Sequence, residues 1–304
     1  MDGFESAAHR REFFEGVKNR HIPVKFVYSG EASNHHASLS TYHDNVTSLE
    51  TEVATLSAAE EWLADCRDIC EIGPGNGYHT LSLLDYLNEV NRFPERYLAA
   101  DFSTNLLEIS TERIATEYPS LTVDATSWDV EAGPTNAIED WSQEGPILVL
   151  FVGSTISNPM RPAEILQNVS TSIRSGDRLM LQLALWTDPE TAEILESYQR
   201  DFFKTGILAL LEMGGIDTDN GRFEVSLDRD TRTVYGDFHF EEPCDVEYDD
   251  DQVSFSKGES IRCFRSKRFL EQEIQSFLRD AGFKIVETNI TADSGFATYL
   301  AEHS

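Results

Sequence analysis

The run Cys70-Glu71-Ile72-Gly73-Pro74-Gly75-Asn76-Gly77, with Ala100-Asp101-Phe102-Ser103 downstream, constrains this chain more than any other feature. It reads as strand, glycine turn, helix, strand and acidic residue. Glycines in such a turn let backbone N–H groups approach a ligand without interference from a Cβ. The helix start behind the turn carries partial positive charge. Asp101, at the tip of the second strand, is placed to accept hydrogen bonds from a ribose diol. A dinucleotide fingerprint, G-x-G-x-x-G, would require glycine at position 78, where the chain has Tyr78. The turn is instead G-x-G-x-G, through Gly73, Gly75 and Gly77, and it opens with the acidic Glu71 two positions earlier. A dinucleotide is therefore the wrong ligand for this turn.

Around this motif, strands and helices alternate. Strands are predicted over 68–73, 97–101, 121–125, 147–152 and 178–185, with helices over 80–87, 106–118 and 162–173. The stretch 147–152 is continuously apolar, as a parallel strand buried on both faces should be. The rhythm predicts an α/β fold, a doubly wound, mostly parallel seven-stranded sheet with an added α+β domain. The fourth-strand loop and the glycine turn both fall at the carboxyl ends of strands, where such sheets bind ligands. After position 189 the pattern changes. One long helix is expected over 190–211, then antiparallel strands over 223–227, 233–240 and 252–256. Helical periodicity returns over 267–281, and 283–288 with 296–301 make a terminal pair of strands. Short and long helices are expected over 10–17 and 46–66. The expected division is a cofactor-binding core over 65–189, an inserted substrate or lid domain over 190–262 joined by 1–64, and a return to the core over 263–304.

Acidic residues outnumber basic ones 54 to 24, a formal charge of -30 spread along the chain. Such a surface repels phosphates and anionic lipid, so neither nucleic acid nor membrane is an expected partner. An acidic surface poor in lysine also suggests a halophilic setting, a cytoplasm rich in salt that screens self-repulsion. Four cysteines (Cys66, Cys70, Cys244, Cys263) complete no zinc set with the available histidines, so no metal is expected. No signal-peptide pattern or apolar run of membrane-spanning length is present. A reduced cytoplasmic protein, monomer or homodimer, is the expectation.

The glycine turn, with Glu71 before it and Asp101 after it, resembles the S-adenosylmethionine site of class I methyltransferases. The resemblance implies that Glu71 helps hold the cationic amino end of the cofactor and that the glycines pack under its methionine portion. S-adenosylhomocysteine would be the product. Methyl transfer is an in-line displacement and needs a nucleophile aligned with the sulfonium methyl. The loop Gly153-Ser154-Thr155-Ile156-Ser157-Asn158 follows strand four, and Asn158 offers one acceptor and two donors, enough to orient an amine or a carboxylate.

That loop also resembles the G-x-T-I-x-N loop of the histidine Nα-methyltransferase family of ergothioneine biosynthesis. Glu117-Tyr118-Pro119, Ser175-Gly176-Asp177-Arg178-Leu179, Asp188-Pro189 and Gly258-Glu259-Ser260-Ile261-Arg262 follow in the family's order, and Ser266-Lys267-Arg268-Phe269 is expected to start a helix. The likeness covers roughly residues 65–300. It implies that Gly73, Gly75, Gly77 and Asp101 hold the cofactor, beside Phe102 and Ser103, with Asp129 near the adenine. It implies further that Asn158 positions an α-amino group, that Tyr198 binds the substrate backbone, and that Tyr42 matches an N-terminal substrate-binding tyrosine. The family uses a Glu and a Ser two residues apart to hold the imidazole of histidine, and the corresponding positions here are Phe264 and Ser266. Phenylalanine removes the acceptor for an imidazole N–H and substitutes an apolar wall. The expected acceptor is therefore a small amine, the α-amino nitrogen of an aromatic or apolar amino acid rather than of histidine. An O- or C-methyltransferase and a non-catalytic cofactor-binding sensor stay open as alternatives.

Overall fold

The computed structural model describes residues 3–37, 49–188, 190–196 and 198–304. The chain forms two compact units, one of Ser40–Thr187 with Arg268–Ser304 and one of Met1–Leu39 with Asp188–Lys267. In chain order the parallel strands are β1 (Asp68–Ile72), β2 (Arg96–Asp101), β3 (Thr122–Ser127), β4 (Ile147–Phe151) and β5 (Arg178–Ala184). Five antiparallel strands of the second unit follow: β6 (Gly221–Asp228), β7 (Thr233–Phe240), β8 (Cys244–Tyr248), β9 (Asp251–Phe255) and β10 (Ser260–Lys267). The chain then returns to the first unit with β11 (Phe283–Ile290) and β12 (Phe296–His303).

The first unit is a seven-stranded sheet in the order β11-β12-β5-β4-β1-β2-β3, in which β12 runs antiparallel to both its neighbours. Its central strand β4 is apolar at every position because both faces are covered. Ile147, Val149 and Phe151 enter one buried cluster, while Leu148, Leu150 and Val152 enter the cluster on the opposite face. From β1 the chain winds outward through β2 and β3 on one side, then crosses to β4 and β5 on the other. The strand order thus reverses between β1 and β4, and the crevice outside their carboxyl ends is where a doubly wound sheet takes a ligand. The expected fold class is what the strand order shows.

The second unit holds a three-stranded antiparallel sheet, β10-β7-β6, and the β8–β9 pair. Helix Gly30–Ala37 packs on helix Asp201–Met213, and the segment after the first helix bonds to β10 through Ile22 N–H to the Arg262 carbonyl at 2.8 Å.

Two expectations are corrected here. The long helix over 190–211 is two helices, Thr191–Glu196 and Asp201–Met213, because Arg200 adopts an extended conformation (φ -68°, ψ 142°) that interrupts the ladder. The interruption lets the Tyr198 ring fold against Phe203, with centroids 5.5 Å apart. Ser266-Lys267 ends strand β10 rather than opening a helix, and the helix begins at Glu271. Pairing with β7 outweighs the helical periodicity read there, as tertiary partners often do. By compactness, helix Leu49–Ala58 groups with the sheet, and β10 through Lys267 groups with the other unit. Helix Leu49–Ala58 is tied to the sheet by Thr298 Oγ1 donating to Thr51 Oγ1 (2.8 Å), by Asn289 Nδ2 donating to Thr55 Oγ1 (3.1 Å), and by the buried Leu56.

Candidate active site

The glycine turn is built from backbone that other residues adopt only at a cost. Gly73, Gly75 and Gly77 have φ of +72°, +58° and +78°, the left-handed region in which an L side chain costs about 1–2 kcal/mol. Two close approaches add a steric reason. A Cβ on Gly73 would sit 3.4 Å from Thr155 Cγ2, and one on Gly77 would sit 3.2 Å from Ser110. Gly73 is joined to the end of β2 by its N–H, which donates to the Ala100 carbonyl at 2.8 Å. Asn76 is fully buried and its Oδ1 accepts from Tyr78 N–H at 3.2 Å. Arg113, on helix Thr104–Glu117, donates to the Asn76 carbonyl and lies 3.8 Å from the centroid of the Tyr78 ring.

Asp101 ends β2 with its Oδ1 accepting from Ser103 N–H at 2.9 Å. Ser103 is buried and caps the next helix, its Oγ accepting from Leu106 N–H at 3.3 Å. Phe102 between them is 8% exposed. Asp129 follows β3 and accepts from Glu131 N–H at 3.0 Å, and Trp128 N–H donates to the Asp101 carbonyl at 2.9 Å. That bond holds the ends of β2 and β3 side by side. Asn158 closes the short turn Thr155–Ser157 after β4, and its N–H donates to the Thr155 carbonyl at 3.2 Å. Because Thr155 lies against Gly73, the Asn158 loop and the glycine turn are neighbours.

Glu71 sits one position from the end of β1, 1% exposed, and its Oε2 accepts from Tyr97 OH at 2.7 Å and Thr80 Oγ1 at 2.8 Å. Its role in the fold is therefore internal, whatever it contributes to a ligand. Burial pushes the carboxyl above the ordinary glutamate range; the Tyr97 and Thr80 hydroxyls and His79 draw it back, and the nearby Glu52 adds to the rise. A raised folded-state value favours the protonated form. The associated stability is complete below the ordinary glutamate range and is lost as pH rises through the folded value. Glu71→Gln mimics the protonated acid at every pH. Its stability relative to the parent should therefore grow as pH rises from the ordinary glutamate range to neutrality and above. Denaturant midpoints across that range test this, and a pH-independent offset would refute it.

Tyr198, Phe264 and Ser266 belong to the other compact unit. Phe264 is 5% exposed, with its ring 5.6 Å from Tyr198 and 4.6 Å from Phe203, centroid to centroid. A β-bulge at Cys263 puts Phe264 opposite Gly236 and Ser266 opposite Val234. A Cβ on Gly236 would fall 2.6 Å from the Phe223 ring and 2.9 Å from Phe264 Cβ, so position 236 has room only for glycine. Tyr42 lies outside the described residues. A cavity of about 250 Å³ lined by Leu56, Ile69, Leu87, Phe93 and Leu148 opens at the amino ends of the strands, away from these loops.

Sequence reasoning missed Arg113, Thr155, Glu52 and Gln182. Thr155 carried a signal, since it stands in the quoted loop; the others stand in stretches without a motif. Among the described residues no group of three or more His, Cys, Asp or Glu is placed to hold a metal ion, and no helix is long and apolar enough to cross a membrane.

The histidine N-alpha-methyltransferase of Mycolicibacterium smegmatis is 24% identical over 280 residues, covering 86% of this chain and 84% of that one. Among solved structures, an S-adenosylmethionine-dependent methyltransferase from Clostridium acetobutylicum aligns at TM-score 0.45 and 11% identity, covering 84% and 92% of the two chains. An amino pentose methyltransferase from Micromonospora echinaspora aligns at TM-score 0.41 and 12% identity, covering 86% and 92%. These structural scores are too low to add to the strand order. The profile of the S-adenosylmethionine-dependent, histidine-specific methyltransferases matches residues 9–303, nearly the whole chain, and the protein belongs to that family.

Proposed function

We propose that this S-adenosylmethionine-dependent methyltransferase acts on the α-amino nitrogen of a small amino acid whose side chain is aromatic or apolar rather than imidazole. The observation that carries this reading is Phe264. Its buried ring packs with Tyr198 and Phe203 where the family resemblance calls for a carboxylate. A site built around a hydrogen bond discriminates strongly against ligands that lack it, and an aromatic wall supplies no acceptor for an imidazole N–H.

S-adenosylmethionine fits the residues present. Three left-handed glycines at alternate positions clear side chains from the turn, and the Asp101 carboxylate ends the adjacent strand. When bound, the cofactor supplies an electrophilic sulfonium methyl. In this reading Asp101 accepts from the ribose hydroxyls, and Gly73, Gly75 and Gly77 admit the methionine portion. Asp129 borders the adenine, and Asn158 orients the acceptor amine. Burial favours the neutral form of an amine, which leaves its lone pair available without a dedicated base.

The test is a methyl-transfer assay in high-potassium buffer with isotope-labelled S-adenosylmethionine, all common amino acids and a small-metabolite extract, followed by mass spectrometry. Label is expected in an aromatic or apolar amino acid. Label in histidine overturns the reading of Phe264, and label on oxygen or carbon of another metabolite overturns the assignment to an amine.

A further inference from the structure

On the face of the sheet that carries Glu71, the carboxyl ends of the strands are buried but incompletely hydrogen-bonded. Glu52, in helix Leu49–Ala58, has a wholly buried side chain. Its Oε2 lies 2.7 Å from His79 Nε2, while Oε1 has no hydrogen-bond partner among the described residues. On β5, Gln182 is also fully buried, and its Oε1 accepts from Ser154 N–H at 3.2 Å. That bond sets the amide orientation, because an amide nitrogen cannot accept from a backbone N–H. Gln182 Nε2 is thereby left as a donor with no partner among the described residues, and Ser154 Oγ, in a residue 9% exposed with φ +57°, is in the same condition.

A buried polar group left unsatisfied is costly unless a ligand or another partner completes its hydrogen bonds. Here one acidic acceptor and two donors stand in that state in one region. Thr51, beside Glu52, accepts from Thr298, and Thr298 pairs directly with Gln182 across β12 and β5. Glu52 interacts with Glu71 of β1, two strands from β5 in the sheet order.

We infer that Glu52, Gln182 and Ser154 form a subsite for an α-amino-acid head group, with the amino group donating to Glu52 Oε1 and the carboxylate on Gln182 Nε2 and Ser154 Oγ. Two molecules carry that head group, the methionine end of the cofactor and the acceptor amino acid; the second source rests on the proposed function above.

The experiment uses the full chain with Glu52→Gln and Gln182→Leu. Calorimetry measures S-adenosylhomocysteine and 5′-methylthioadenosine, which share the thioadenosine and differ in the amino-acid end. If the cofactor occupies the subsite, homocysteine-bearing ligand affinity falls about tenfold or more while methylthioadenosine affinity stays within about twofold. If the acceptor occupies it, S-adenosylhomocysteine affinity is unchanged and KM for the acceptor rises about tenfold at constant kcat. Equal weakening of both nucleosides marks a structural role and overturns the inference, as does constancy of both S-adenosylhomocysteine affinity and acceptor KM. The calorimetric arm needs no turnover, so a parent enzyme that methylates no amino acid refutes the proposed function while this arm still reads the subsite.

Discussion

Alanine at position 101 is expected to weaken S-adenosylmethionine binding by about a hundredfold, roughly 2.7 kcal/mol, with the fold retained. Asp101 stands at the carboxyl end of β2, beside the switch point of the sheet, and is 8% exposed. A hydrogen bond to a charged group contributes about 1.5–3 kcal/mol, so one ribose hydroxyl accounts for much of the loss and the second for the remainder. The fold itself loses little. Ser103 N–H gives up its 2.9 Å bond to the carboxylate, but the Ser103 hydroxyl still caps the following helix through Leu106 N–H. Asp101→Asn retains an acceptor and should recover part of the affinity. Calorimetry with S-adenosylhomocysteine measures the effect, and affinity within a factor of two of the parent would show that the ribose assignment is wrong.

Asn158→Ala should lower kcat by about 10²-fold or more and leave cofactor affinity nearly unchanged. Misplacing a reacting atom by about 1 Å can cost 10²-fold in rate, and the amide of Asn158 is the group assigned to place the acceptor nitrogen. Its backbone is held independently of the side chain, by the N–H bond to the Thr155 carbonyl and by the turn Thr155–Ser157. Thr155 lies against Gly73, so the truncation leaves the glycine turn and its neighbour in place. Single-turnover rates with saturating cofactor give the chemical step, and calorimetry gives the binding. A parallel loss of both would reassign Asn158 from the acceptor to the cofactor.

Much of the α/β unit was legible in the residues because its signals are local. A strand buried on both faces must be apolar throughout, and Ile147–Phe151 is. Positions with left-handed backbone favour glycine, and Gly73, Gly75 and Gly77 occupy three of them. The inserted unit was read less well because its strands depend on partners distant in the chain. The helical periodicity read over 267–281 begins at Lys267, yet β10 extends through Lys267 because β7 offers a ladder to pair with. The apolar pattern over 190–211 continues through Arg200, but a change at one ψ angle divides the helix and returns Tyr198 to the ring of Phe203.

The candidate site divides along the same line. By itself the sequence determined the doubly wound sheet, the glycine turn, the acidic end of β2 and the loop that ends at Asn158, because each depends on residues a few positions apart. Tertiary structure decided that Glu71 is enclosed by Tyr97 and Thr80, that a bulge at Cys263 turns Phe264 toward Tyr198, and that Glu52 and Gln182 are buried with atoms unpaired among the described residues. These depend on register, bulges and the packing of a helix on a sheet. Glu52 and Gln182 stand more than a hundred residues apart in the chain, and no local pattern encodes their hydrogen-bond partners.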